Sequence, residues 1–200
     1  MSRKSKAERR QEILACARDA FAESGYHRVT IDEITQRIGI ARGTFYLYFE
    51  DKRAILGALL EEVFERVDRN IHDIELEGNR DSPLAQLRSN LLRVATLALE
   101  EPAMMKILLH NAPGLDPEFD TKLRLFFAAL DHLMDGSLEQ GQHWGFVRQG
   151  DRRFMLAMGL GGIKELILRC VNGELETSAE ALSEEILGFL RQGVLTAELR

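Results

Sequence analysis

With 200 residues, the chain has room for one ordinary domain or for a small domain joined to a larger one. Apolar residues make up 45% of it, the share of a globular protein, and the longest apolar run, Phe154 to Ile163, carries three glycines and stops at Lys164, so no membrane span is expected. The net charge of −6 is unevenly shared, +3 over residues 1–53 and −9 over 54–200, and a basic head on an acidic body suggests two tasks, one of them near phosphates.

In chain order, the basic start Met1-Ser2-Arg3-Lys4 leads into Ala7-Glu8-Arg9-Arg10 rather than an apolar stretch, which is no secretory signal; the chain is expected to be cytoplasmic. Ile13, Leu14, Ala17, Ala20 and Phe21 form the apolar stripe of an amphipathic helix, and Gly25 follows where a helix takes a terminal residue of positive φ. Thr30-Ile31-Asp32-Glu33 reads as a capping box opening a second helix, with Ile34 and Ile38 on its apolar side and Gly39 as its stop. Ala41 restarts a helix through Tyr48. Asp51 then caps a long helix whose stripe runs from Leu56 to Ile74, up to a polar break at Gly78–Ser82.

Pro83, Pro102 and Pro117 each stand where a first helical turn favours proline. They predict helices over 83–100, 102–110 and 117–140, with a loop at Asn111–Asp116. A loop over 141–150 precedes two last helices, 152–171 and 178–199, parted by Asn172-Gly173. No alternating strand pattern competes. The fold class expected is all-α: a helix-turn-helix DNA-binding domain over residues 1–53 and a helical effector-binding and dimerisation domain over 54–200.

Two short helices joined at a glycine, after a longer helix, fit the helix-turn-helix scheme. Phe45 and Phe49, four apart, fill the buried side of the second short helix and leave Arg42, Gly43, Thr44, Tyr46 and Tyr48 to face outward. Arg42 suits a base edge or a phosphate, Thr44 a thymine methyl or a hydrogen bond, the tyrosine hydroxyls phosphates, and Gly43 a close backbone approach. Lys52, in the first turn of the long helix, is placed to meet a phosphate.

The run Phe21-Ala22-Glu23-Ser24-Gly25-Tyr26, Val29-Thr30-Ile31-Asp32-Glu33-Ile34, Gly39-Ile40-Ala41-Arg42-Gly43-Thr44-Phe45-Tyr46-Leu47-Tyr48-Phe49 and Asp51-Lys52 resembles the N-terminal domain of the TetR family of repressors. The resemblance covers roughly residues 8–60. It implies DNA contacts at Arg42, Gly43, Thr44, Tyr46, Tyr48 and Lys52, with Thr30 near a phosphate. Ala41 departs from the Ser of many relatives and gives up a hydroxyl cap, a loss of about 1 kcal/mol. Beyond residue 54 the likeness is one of layout. It implies a homodimer through the last two helices and an effector pocket among the middle ones.

The residues themselves offer candidates for that pocket. Met104, Met105, Leu108, Phe126, Phe127, Leu130, Met155 and Met158 suit an adaptable apolar lining, and equally an ordinary core. His110, Asn111, Trp144, Glu165 and Lys164 could orient a ligand. Gly159, Gly161 and Gly162 weaken their helix, so a ligand or a close helix must need the room at Gly162 and its neighbours. Leu166, Cys170, Leu182, Ile186, Phe189 and Leu190 are expected to pair two subunits. No two histidines stand at i, i+3 or i, i+4, and Cys16 and Cys170 match no metal spacing, so neither metal nor cofactor is expected. No nucleophile elbow or phosphate loop appears, which argues against an enzyme. A DNA-organising protein without a ligand is the other class to separate. The partners expected are palindromic double-stranded operator DNA and a small, mostly apolar effector, with no membrane.

Overall fold

The computed structural model describes residues 5–75, 81–111 and 117–196, the side chains of His110 and Asn111 excepted. Among the described residues the chain is helical: α1 Lys6–Ser24, α2 Ile31–Ile38, α3 Arg42–Phe45, α4 Lys52–Asn70, α5 Pro83–Glu100, α6 Pro102–Lys106 running into a wider π turn at Ile107–Asn111, α7 Pro117–His143, α8 Arg152–Val171 and α9 Ala179–Gly193. The chain forms two compact units. One holds residues 1–65 and 103–120, the other 66–102 and 121–200. The domain border expected after residue 53 lies near the start of α4.

The first unit is built on the predicted stripe of α1. Ile13, Leu14, Ala17, Ala20 and Phe21 are buried, together with Val29, Ile34, Phe45, Phe49, Ile55, Leu56, Leu59, Leu60 and Val63. The start of α1 carries a signal not read from the sequence. Ser5 Oγ accepts from Glu8 N–H at 3.2 Å, and Glu8 accepts from Ser5 N–H at 2.7 Å, a full capping box. At α2 only half of the expected box exists. Thr30 Oγ1 accepts from Glu33 N–H at 3.2 Å, but the Glu33 carboxylate accepts from Arg37 at 2.7 Å instead of reaching back.

Lys52 ties this unit together. Its ammonium donates to the carbonyls of Tyr26 at 2.6 Å, Val29 at 2.8 Å and His27 at 3.4 Å, and lies 4.3 Å from the centre of the Tyr26 ring. Tyr26 in turn sets its ring edge against Phe21 at 5.3 Å. Burial pushes the Lys52 pKa below the ordinary lysine value. The first turn of α4 thereby holds the connection between α1 and α2 by its backbone carbonyls.

In the second unit α5 lies against α9 and α8. Leu91, Ala95, Leu182, Ile186 and Leu187 form one buried cluster, with Leu166, Cys170 and Leu190 packed on it. Met155, Val147 and Leu195 form another. Helix α4 stops at Asn70, short of Ile71 and Ile74, because the helix end finds other partners. Asn70 Nδ2 donates back to Arg66 O at 2.7 Å, and Arg93 takes the Asn70 carbonyl at 2.9 Å. The following Ile71–Glu75 has no regular helix and is pinned to α5 by two side-chain amides one turn apart. Asn90 accepts from His72 N–H at 3.2 Å and donates to His72 O at 2.7 Å. Gln86 accepts from Glu75 N–H and donates to Glu75 O, both at 2.8 Å.

Two further boundaries differ from expectation. Helix α7 continues to His143, since Gly141 lets Val147 approach so closely that an added Cβ would lie 2.5 Å from its methyl group. Helix α9 ends at Gly193 rather than near residue 199. Arg148 takes the Gly193 carbonyl at 2.6 Å, and the chain pairs Val147 with Leu195 in an antiparallel bridge.

Lys52→Met keeps the stem and removes the donors. It should lower the stability of the first unit by about 1.5 kcal/mol, the low end for a bond to a charged group because the site is partly exposed. An earlier thermal transition by circular dichroism checks this, and an unchanged Tm would show the ammonium to be idle.

Candidate nucleic-acid interface

The turn between α2 and α3 is made by Gly39, which is left-handed at φ 69°, ψ 39°. It lets Ile40 N–H reach back to Thr35 O at 3.0 Å and swings α3 away from α2. Regular α-helix covers only Arg42–Phe45. The chain then continues in tight turns, Leu47 N–H to Thr44 O at 3.2 Å and Tyr48 N–H to Phe45 O at 2.9 Å, instead of the helix expected through Tyr48. Phe45 and Phe49 are buried and lie 6.1 Å apart, so the segment is anchored on the side that the spacing predicted.

The other side faces out. Arg42 is exposed. Its Nη1 lies 3.1 Å from Asp32, and its Nε and Nη2 each reach the Tyr46 hydroxyl at 3.4 Å. The Tyr46 hydroxyl, then the Asp32 carboxylate, raise the arginine pKa. Such exposed pairs contribute little and give way cheaply to a phosphate or a base edge. Tyr46 is exposed and Tyr48 and Thr44 are half-buried. Gly43 has no positive φ, and a Cβ built on it meets nothing within 4 Å, so the protein's own packing does not require glycine there. Thr30 is exposed at the cap of α2. Its oxygen is taken by Glu33 N–H, which leaves its O–H to donate outward.

Lys52 differs from the expectation. Its ammonium turns inward to the three carbonyls described above, which satisfies its three hydrogens, so its direct role is in holding the α1–α2 connection. Two further members of the surface were not read from the sequence: Asp32 as the partner of Arg42, and Leu47, whose side chain is 72% exposed. The spacing that put Phe45 and Phe49 inside could have placed Leu47 outside.

The residues proposed for an effector lining separate. Met104, Met105 and Leu108 belong to the first unit and are buried. His110 and Asn111 have side chains outside the described residues. In the second unit Phe126 and Phe127 meet edge to face at 5.3 Å, Lys164 lies 4.3 Å from the Phe127 ring centre, and Leu130 is half-buried. Met155 is spent in its own cluster. Trp144, Met158, Gly162 and Glu165 are exposed, and Glu165 is paired with Arg169 at 2.8 Å. Among the described residues nothing lies within 4 Å of a Cβ placed on Gly159, Gly161 or Gly162, so no described helix packs closely against them.

Two open clefts in the second unit are lined by other residues. The larger, about 750 Å³, is charged. Asp135 accepts from Arg152 at 2.7 Å beside Asp131, His132, Asp151 and Arg153. The smaller, about 590 Å³, lies beside the pinned segment at His72, Gln86, Asn90 and Arg93. None of the expected lining residues borders either. Among the described residues no group of three His, Cys, Asp or Glu side chains could hold a metal, and no helix is long and apolar enough to cross a membrane.

Comparison with known proteins places this surface in a family. Residues 13–59 match the model of bacterial regulatory proteins, tetR family. Over 203 aligned residues, 96% of this chain and 98% of the relative, the chain is 27% identical to the fatty acid metabolism regulator protein of Bacillus subtilis. The structure of the transcriptional regulator FadR from Bacillus subtilis in complex with stearoyl-CoA superposes with a TM-score of 0.73 at 25% identity, covering 92% of this chain and 98% of that one. The MbdR regulator from Azoarcus sp. CIB shares the fold at a TM-score of 0.78 and 22% identity, covering 93% of this chain and 98% of that one. Residues 13–59 are thus a helix-turn-helix domain of the tetR family, and the chain that carries them, similar to such regulators along nearly its whole length, is a DNA-binding transcriptional regulator.

Proposed function

We propose that the chain is a cytoplasmic, homodimeric repressor that grips a palindromic operator through Arg42, Gly43, Thr44, Tyr46 and Tyr48, with Thr30 at a flanking phosphate, and lets go when a small, largely apolar effector binds. The observation that carries the DNA reading is the outward row on α3 and the turns after it. A guanidinium, two phenols and a hydroxyl project from a segment fixed by two buried phenylalanines. Two such segments related by a twofold axis would meet half-sites about one helical turn apart. An effector that prefers the conformation unfit for DNA lowers operator occupancy by population shift alone.

The dimer reading is supported by α8 and α9, though of the residues first expected only Phe189 is exposed. Leu182 and Ile186 are buried against α5 of their own chain, and Leu166, Cys170 and Leu190 pack on the same cluster. What remains uncovered is Phe154, 68% exposed, Met158, 57%, and Phe189, 64%, with open space at Gly161 and Gly162. An apolar face of this kind fits isologous pairing in a four-helix arrangement, in which glycines allow close approach. The effector reading is supported by the full-length likeness to a fatty acid metabolism regulator and by the neighbour solved with stearoyl-CoA. A fatty acyl thioester is therefore the first ligand to try.

Sequencing the DNA that the protein selects from a random pool tests the DNA reading. On the selected site, Arg42→Ala should lose about 1–3 kcal/mol of affinity and relax preference at one position per half-site, while affinity for random DNA stays unchanged. Equal losses on both would reassign Arg42 to the backbone. Phe189→Asp should turn a sedimenting dimer into a folded monomer, and a variant that stays dimeric would move the interface elsewhere. Stearoyl-CoA at about a hundredfold excess over its Kd should raise stability by roughly 2.7 kcal/mol and release the operator. Coenzyme A alone should do neither, and a response to coenzyme A equal to that of the thioester would remove the apolar effector.

A further inference from the structure

The proposed row of DNA contacts leaves out the most exposed large hydrophobic among the described residues. Leu47 is 72% exposed, between two tyrosines of the same segment. A single exposed leucine is ordinary on a protein surface. This one stands in ordered company. Its N–H donates to Thr44 O at 3.2 Å, which sets it one turn beyond Thr44, and it lies four residues after Gly43.

The segment thus has two outward flanks of different chemistry. Arg42 and Tyr46, four apart and joined through the phenol oxygen, make a charged, hydrogen-bonding flank. Gly43, Thr44 and Leu47 make an uncharged one, in which glycine leaves open space and leucine supplies the only bulky group. Leu47 has no call on the core, since Phe45 and Phe49 on either side of it already fill that place. Its isobutyl group can bond neither a phosphate nor a base-edge donor, and pressing it on such groups would strip their water without return. One group in the major groove is apolar, the C5-methyl of thymine.

We propose that Leu47 is a specificity residue that reads one thymine per half-site by packing on its C5-methyl, one turn beyond the base that Thr44 faces. The proposal rests on the DNA-binding reading above and deepens it, by assigning part of the operator sequence to a methyl contact rather than to Arg42.

The test uses the full chain and the duplex it selects from a random pool. Each thymine is replaced in turn by deoxyuridine, which removes the C5-methyl and leaves the pairing intact. Parent protein should lose affinity roughly three- to fivefold at one thymine per half-site, the size expected for one buried methyl group. Leu47→Ala should bind the unmodified site weaker by a similar factor, and should be indifferent to uracil at that position while keeping its responses elsewhere. Leu47→Met should retain the uracil response. The side chain is largely outside the core, so equal Tm values for all three proteins are expected and exclude a folding effect. If uracil weakens the parent and Leu47→Ala alike at every position, or weakens neither, the methyl contact is overturned while the DNA-binding reading stands. If no sequence is selected from the pool at all, both fall together.

Discussion

Three backbone carbonyls of the α1–α2 connection converge on the ammonium of Lys52, and the start of α2 is held by that closure. Val29, the last of the three, directly precedes Thr30, the cap of α2. Helix α2 therefore starts from a point held by α4, and Gly39 sets the angle at which α3 leaves it. Phe45 and Phe49 then press α3 onto the same core that Ile55, Leu56 and Leu59 of α4 share. A short helical turn has little stability of its own. It presents Arg42 and the tyrosines in a fixed direction because its support is closed from both ends, by apolar packing below and by one ammonium behind.

Much of this was legible in the sequence, for identifiable reasons. Proline at 83, 102 and 117 marks three helix starts to the residue, and the stripe of α1 returns as buried side chains. Boundaries failed where long-range partners decide. Nothing local shows that Arg93 will take the Asn70 carbonyl and end α4, or that Arg148 will do the same for Gly193 and end α9. At the recognition surface the outward residues were readable from the phenylalanine spacing. The inward turn of Lys52 was not, since a lysine at a helix start looks the same whether its acceptors are phosphates or the chain's own carbonyls. The places of the candidate lining residues were the least legible. Methionine and phenylalanine serve core, lining and subunit face with the same physics, and Met155 and Met158, three apart on one helix, end in a core and on an open surface.

Helix α8 shows how a single chain leaves its own pattern unfinished. Between Phe154 and Ile163 it carries no polar side chain. A helix of that kind is normally enclosed on every side. Here Met155, Ile167 and Val171 are covered by the same chain, and Phe154 and Met158 are not. The glycines at 161 and 162 lower helix propensity where no neighbour among the described residues profits. Helix α9 repeats the theme, with Leu182, Ile186 and Leu187 turned in and Phe189 turned out. Both helices carry apolar side chains that the described residues leave uncovered.

The pairing of Asn90 with His72 and of Gln86 with Glu75 makes one side of α5 behave like the edge of a sheet. Each side-chain amide imitates a peptide group, and the two are spaced to meet backbone positions three residues apart. Such a lock measures chain length. One residue more or fewer between His72 and Glu75 would bring at most one amide into line and leave the other facing a group it cannot match. Homologues that keep both amides should therefore share an invariant spacing across these four positions, and insertions and deletions between α4 and α5 should gather on the far side of Glu75.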